Sequence, residues 1–249
     1  MSEESNAPSA AILIIGNEVL SGRVQDANVN FIAKKLVAHG IRLREVRVVP
    51  DIEKEIVDAV NALRSRFSYV FSTGGIGPTH DDITAQSMAT AFGVPLIVHP
   101  EAKKRLEAYY GDQITPARLL MARTPEGAVL IDNPSTIAPG FRFENVFVMA
   151  GVPSIMQAMF DSFIDGLAGG PAILSRTVLC KIPESLIAEE LGELAQNFSD
   201  VDIGSYPSFR VGNIGLALVV RGVDEKRLDE ATKALAKLVQ THGGDPKIE

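Results

Sequence analysis

Apolar residues fall in short blocks at a regular rhythm along the chain. Ala10-Ala11-Ile12-Leu13-Ile14-Ile15 is unbroken and predicts a strand buried on both faces. From Asn28 to His39 the apolar residues Phe31, Ile32, Leu36 and Val37 recur at helical spacing, and Gly40 stops them. That predicts a helix with Gly40 at its end. Ile41 to Val49 alternates apolar residues with Arg42, Arg44 and Arg47, the pattern of a second strand. Asp51 to Arg66 carries Ile56, Val57, Val60 and Leu63 on one face, which predicts a helix capped by Asp51. Tyr69 to Ser72 is the next strand, and Ile83, Ser87-Met88 and Ala91-Phe92 mark a helix that ends at Gly93 and Pro95. Shorter elements follow: a strand over Pro95–Val98, helices over Pro100–Tyr110 and Pro116–Arg123, and a strand over Ala128–Asp132. After a loop from Asn133 to Phe141, a strand over Asn145–Ala150 and a helix over Ser154–Leu167 complete this part. Strands alternating with helices, several of them wholly apolar, predict an α/β domain with a mostly parallel sheet covered on both faces.

The rhythm breaks at Gly169-Gly170-Pro171. Beyond it the order is strand (Ile173–Ile182), helix (Glu184–Phe198), two strands (Val201–Tyr206 and Asn213–Arg221) and a long amphipathic helix (Asp224–His242). That order predicts a small α+β subdomain, helices on an antiparallel sheet. The expected organisation is a disordered leader over 1–9, a main domain over 10–168, a small domain over 171–242 and a tail over 243–249.

Composition narrows the functional classes. With 46% apolar residues among 249, the chain can bury a sizeable core. A net charge of −7 argues against coating nucleic acid. The longest apolar run, Ala10 to Ile15, is far short of the ~18 residues a membrane span needs. The polar, acidic start MSEESNAPS is unlike a signal peptide. One cysteine, Cys180, leaves no intrachain disulfide and no cysteine-cluster metal site. A reducing cytoplasm is the expected location.

The candidate chemistry sits in Thr73-Gly74-Gly75-Ile76-Gly77-Pro78-Thr79-His80-Asp81-Asp82. Three glycines and a proline make a tight loop whose backbone can approach a ligand closely. A glycine loop between a strand and a helix start is suited to an anion. Carboxylates beside a bound phosphate need a metal or a proton between them, so Asp81 and Asp82 point to a divalent ion bridging protein and phosphate. The pattern is neither a dinucleotide fingerprint nor a Walker loop. Asp82 is the first candidate ligand and catalytic group, with Asp81 either beside it or capping the helix. Glu18 follows the first strand at a strand end where open α/β sheets bind ligands, and is a second candidate metal ligand. Asn28 either holds the Glu18 loop or caps its own helix. Thr73 and Thr79 offer hydroxyls to phosphate or metal, or serve as turn residues; Ser135 and Thr136 lie in a loop expected to face the same crevice. His80 is either an acid near a leaving phosphate or a solvated loop residue.

The stretch Gly-Gly-Ile-Gly-Pro-Thr-His-Asp-Asp-Ile-Thr, Gly74 to Thr84, resembles the signature of the molybdopterin-binding superfamily of MoaB/Mog and MoeA proteins. Three further segments are similar in order to the N-terminal domain of competence/damage-inducible CinA proteins. They are Gly16 to Gly22 with Asn28, Asn133-Pro134 with Ala138 to Phe141, and Gly151-x-Pro153. The resemblance implies a three-layer α/β/α fold with its pocket at the carboxyl ends of the strands. It implies a phosphorylated ligand, either a pterin such as molybdopterin or a nucleotide such as ADP-ribose, with Gly74, Gly75, Gly77 and Gly151 at the ligand.

In the Mog branch the position of Asp82 supports Mg²⁺-dependent adenylylation of molybdopterin. The CinA branch is associated with metal-dependent hydrolysis of ADP-ribose, and related domains of FAD synthases with FAD hydrolysis. The expected ion is Mg²⁺, with Mn²⁺ and Co²⁺ as substitutes, and the expected assembly is a homo-dimer or trimer. Two positions depart from the CinA pattern: Asn17 stands where Thr is usual and Ile155 where a Glu is usual. They leave room for a pterin-binding role in cofactor assembly or for a non-catalytic nucleotide-binding module. The amidase domain that follows in full-length CinA is not expected.

Overall fold

The computed structural model describes residues 7–210 and 213–249, in two compact units that divide between Gly170 and Pro171. In the first unit β1 (Ser9–Ile15) runs into a single helical turn, α1 (Asn17–Leu20), and then α2 (Asn28–Ala38) and β2 (Arg42–Val49). Next come α3 (Glu53–Arg64), β3 (Tyr69–Thr73), α4 (Thr84–Phe92), β4 (Leu96–Val98) and α5 (Pro100–Tyr110). The unit ends with α6 (Pro116–Leu120), β5 (Arg123–Pro125), β6 (Val129–Ile131), β7 (Gly140–Phe143), β8 (Val146–Met149) and α7 (Pro153–Asp161).

Six strands form one sheet in the order β2-β1-β3-β8-β7-β6. The first four are parallel neighbours, whereas β7 pairs antiparallel with both β8 and β6. The alternation within β1 sorts the core. Ala11, Leu13 and Ile15 pack with Ile56, Val60 and Leu63 of α3 and Met88 of α4. Ala10, Ile12 and Ile14 pack with Ile32 and Leu36 of α2 and Met156, Met159 and Phe160 of α7. Successive strand residues point to opposite faces, so an unbroken apolar strand must be covered twice. The result is the three-layer α/β/α arrangement.

Several local expectations change. Gly140 and Phe141, read as loop, begin β7, because Gly140 and Phe141 pair with Ile131 and Leu130 across the sheet. Arg123 ends no helix: α6 stops at Leu120, and Arg123–Pro125 pair with β4 in a separate two-stranded sheet. Asp51 does not cap α3, whose N-cap is Ile52 without a side-chain bond. Its carboxylate instead accepts the Asn17 amide at 2.9 Å. The leader expected over 1–9 lies, for residues 1–6, outside the described residues, and Ser9 already belongs to β1.

The second unit holds β9 (Leu174–Cys180), α8 (Ala188–Asn197), β10 (Asp202–Arg210), β11 (Asn213–Gly222), α9 (Glu225–Thr241) and β12 (Lys247–Ile248). The sheet order is β10-β11-β9-β12, with every pairing antiparallel. Leu228, Ala231, Leu235 and Val239 of α9 are buried with Val178, Leu216, Leu218 and Val220 of the sheet. The segment read as a tail returns to the sheet, where Lys247 and Ile248 pair with Leu179 and Val178 because the edge of β9 is otherwise unpaired there. Cys180 is a free, buried thiol, and burial raises its pKa. Among the described residues no helix is long and apolar enough to cross a membrane.

Candidate functional site at the carboxyl ends of the strands

Parallel order brings the ends of β1, β3 and β8 to one edge of the sheet, and β6, antiparallel to β7, ends on the same side. Each strand is followed there by a sequence-singled segment: Glu18 after β1, the glycine loop after β3, Asn133–Thr136 after β6 and Gly151 after β8. They line one crevice of about 560 Å³.

The glycine loop is tightly held. Gly74 has φ 105°, and a Cβ on it would stand 2.1 Å from the Ile15 carbonyl oxygen. Its amide donates to Met149 O at 3.1 Å, so the loop leaves β3 pressed between the ends of β1 and β8. Gly75, at φ 67°, would place a Cβ 2.2 Å from Thr84 Oγ1. That hydroxyl is buried and donates to Gly74 O at 2.9 Å. Among the described residues the amides of Gly75, Ile76 and Gly77 have no hydrogen-bond acceptor. Unpaired amides in succession beside a helix start are an anion-binding arrangement.

The two aspartates behave differently. Asp82 lines the crevice and its Oδ2 accepts the Thr79 amide at 2.8 Å. Asp81 is 64% exposed and lies 3.9 Å from His80 Nδ1. The Thr79 hydroxyl reaches Asp81 Oδ1 at 2.6 Å and Asp82 Oδ2 at 2.5 Å. It has one proton, so it donates to one carboxylate at a time. Its bond to Asp81, with the Asp81 backbone amide as the second cause, lowers that carboxyl's pKa. Neither aspartate caps α4, whose N-cap is Ile83.

An adjoining lobe of about 330 Å³ shares Gly75, Ile76, Gly77 and Asp82 with the crevice and adds Thr79, His80, Gln86 and Arg123. Asp81 lines neither lobe. His80 is 98% exposed at its side chain. Thr73 and Asn28 are buried behind the loop. Asn28 sits in the first turn of α2, but the side chain that accepts an amide there is Asp26, from Val29 at 2.9 Å. Asn28 Nδ2 donates instead to Gly151 O at 2.8 Å, tying α2 to the end of β8. Thr136 lines the crevice and Ser135 does not.

The sequence did not announce the roles of Asn133 and Arg123, nor that Ile155 faces the crevice. Asn133 organises its loop: Oδ1 accepts the amides of Ser135 and Thr136, while Nδ2 donates to Thr136 Oγ1 and Ala138 O, both at 2.7 Å. An Asn before a Pro is the signal for such a turn. Within that loop Ile137 is held at φ 64°, a strained setting for a β-branched residue. Arg123 reaches the second lobe from β5, and nothing local in the sequence announces it. The departing residue Ile155 faces the crevice, with Ile76, Met121, Val152 and Met159 as further apolar lining.

The family model described as "Probable molybdopterin binding domain" matches residues 11–169. A second, described as "FAD synthase, middle domain", matches residues 172–244. A protein of Pyrobaculum arsenaticum is 38% identical over 256 residues, spanning 96% of this chain and 97% of that one. A CinA-like protein of Sulfurihydrogenibium is 38% identical over 160 residues, 61% of this chain and 40% of its own length. Among solved structures, a CinA protein of Thermoplasma acidophilum superposes with a TM-score of 0.61 at 34% identity. It covers 65% of this chain and 98% of that one. With the glycine loop, the strand-end crevice and these likenesses together, the chain belongs to the molybdopterin-binding domain family, in its CinA-like branch.

Proposed function

We propose that the protein binds a phosphorylated nucleotide in the crevice and hydrolyses its pyrophosphate, with an ADP-ribose-like compound as substrate. The observation that supports this most is the sharing of one crevice by the unpaired glycine-loop amides and two carboxylates, Asp82 and Glu18. Amides alone suit an anion; carboxylates at the same place suit an anion that arrives with a metal.

The donor set fits a Mg²⁺-type ion. Among the described residues no group of three or more His, Cys, Asp or Glu could hold a metal. One or two carboxylates completed by substrate phosphate oxygens and water is the usual way Mg²⁺ is held in phosphoryl chemistry. Asp82 and Glu18 would hold it, and when bound it would neutralise charge on the phosphates and polarise a phosphoryl oxygen. The chain's own groups do the rest. The Gly75 and Gly77 amides bind phosphate oxygens, and the Thr79 amide orients Asp82. Water adds to one phosphorus, the bond from that phosphorus to the bridging oxygen breaks, and one water proton is released. Two phosphate monoesters result.

A second reading, pterin binding without turnover, draws on the apolar lining and on Ile155 in place of a carboxylate. The experiment that separates them is hydrolysis of ADP-ribose and FAD with Mg²⁺, Mn²⁺ and Co²⁺, beside molybdopterin titration. The hydrolytic reading expects turnover that falls at least a hundredfold in Asp82→Ala with the circular dichroism spectrum unchanged. Turnover retained in the variant refutes the role of Asp82; no turnover with any metal, together with tight pterin binding, moves the function to the second reading.

A further inference from the structure

Adjoining the crevice, with which it has Glu18, Val24, Gly151 and Pro153 in common, is a small cavity of about 40 Å³, walled by the ends of β1 and β3, the segment from Val24 to Ala27, the start of α2, and Gly151. Its polar lining is Glu18, Gln25, Asp26, Asn28 and Thr73. Asn28 is 4% exposed and Thr73 is 1% exposed. Among the described residues neither Asn28 Oδ1 nor Thr73 Oγ1 has a hydrogen-bond partner. The orientation of the Asn28 amide follows from chemistry: the Gly151 carbonyl can only accept, so the nitrogen faces it and Oδ1 is the unpartnered atom.

Two buried oxygens without partners on one small cavity call for an occupant. The volume is enough for a single ion or a few waters. Charge decides between them. Glu18 and Asp26 both line the cavity, and among the described residues no Lys, Arg or His does. Asp26 already takes the Val29 amide, while the Glu18 carboxylate makes no hydrogen bond or ion pair among the described residues. Water would satisfy the neutral oxygens alone, whereas a cation would also engage the exposed and otherwise unpaired Glu18 carboxylate. An oxygen-seeking divalent cation meets both requirements.

We infer that this cavity is a cation seat of its own, with Glu18, Asn28 Oδ1 and Thr73 Oγ1 as protein ligands. Asp82 does not line it, so the seat fills without nucleotide; Glu18 is the one group it has in common with the metal position of the hydrolytic reading. It joins the Glu18 turn to β3 and α2 and so fixes one wall of the crevice.

The test is titration of the full chain with Mn²⁺ alone, followed by the paramagnetic resonance signal of free Mn²⁺, with no nucleotide present. One Mn²⁺ per chain is expected. Affinity should fall at least tenfold in Thr73→Val and in Glu18→Gln, persist in Thr73→Ser, and stay within twofold in Asp82→Ala. Glu18 is exposed, so Glu18→Gln carries the test if the buried Thr73→Val does not fold. Absence of stoichiometric binding, binding indifferent to Glu18→Gln, or binding lost with Asp82→Ala instead would each overturn the inference. Because no nucleotide enters the experiment, its failure and the failure of the hydrolytic reading are seen separately.

Discussion

Gly74 shows how much one residue can carry. Its left-handed backbone already disfavours a side chain by about 1–2 kcal/mol, and the Ile15 carbonyl oxygen stands where a Cβ would go. A backbone atom at that place cannot rotate away. Gly74→Ala should therefore cost more than about 2 kcal/mol in chemical denaturation; a cost under half of that would mean the loop yields more easily than its contacts imply. Residue type alone could not separate Asp81 from Asp82. They are identical neighbours, and their difference arises from the turn that directs Asp82 back to the Thr79 amide and leaves Asp81 in solvent. For Asn28 the sequence leaves two roles open, holding the Glu18 loop or capping its own helix, and the structure shows a third, a bond to Gly151 that lies 123 residues away.

At the scale of elements, long periodic segments were legible and short ones were not. The stripe Leu228, Ala231, Leu235, Leu238 and Val239 spans the length of α9, and every member is buried. β5 and β7 contain three and four residues, too few to establish a period of two, and each exists because a partner strand supplies its hydrogen bonds. β5 also carries Pro125, which by itself argues against a strand interior. Helix α8 offers a direct test of propensity. Gly192 lies inside it, and a Cβ there would meet nothing within 4 Å. Gly192→Ala should stabilise the second unit by about 0.5–1 kcal/mol, the usual gain of Ala over Gly in a helix. A loss of stability in its melting curve would show that α8 is not the regular helix described.

At the scale of the molecule, each unit encloses its own core. The buried set of Val178, Cys180, Leu216, Leu218, Val220, Leu228, Leu235 and Val239 is complete within residues 171–249. Expressed alone, that segment should fold, with a cooperative thermal transition and mixed helix and strand by circular dichroism. A random-coil spectrum would sink the expectation. The sequence by itself determined the strand and helix rhythm, the break at Gly169-Gly170-Pro171 and the residue types of the glycine loop. Each of these depends on neighbours within a few positions, through side-chain period or the steric freedom of glycine. The tertiary structure decided which polar groups act together. Glu18, Asp82, Thr136 and Gly151 share a crevice because the sheet order places the ends of β1, β3, β6 and β8 at one edge. Strand order is set by how whole faces are buried, and no local pattern encodes it.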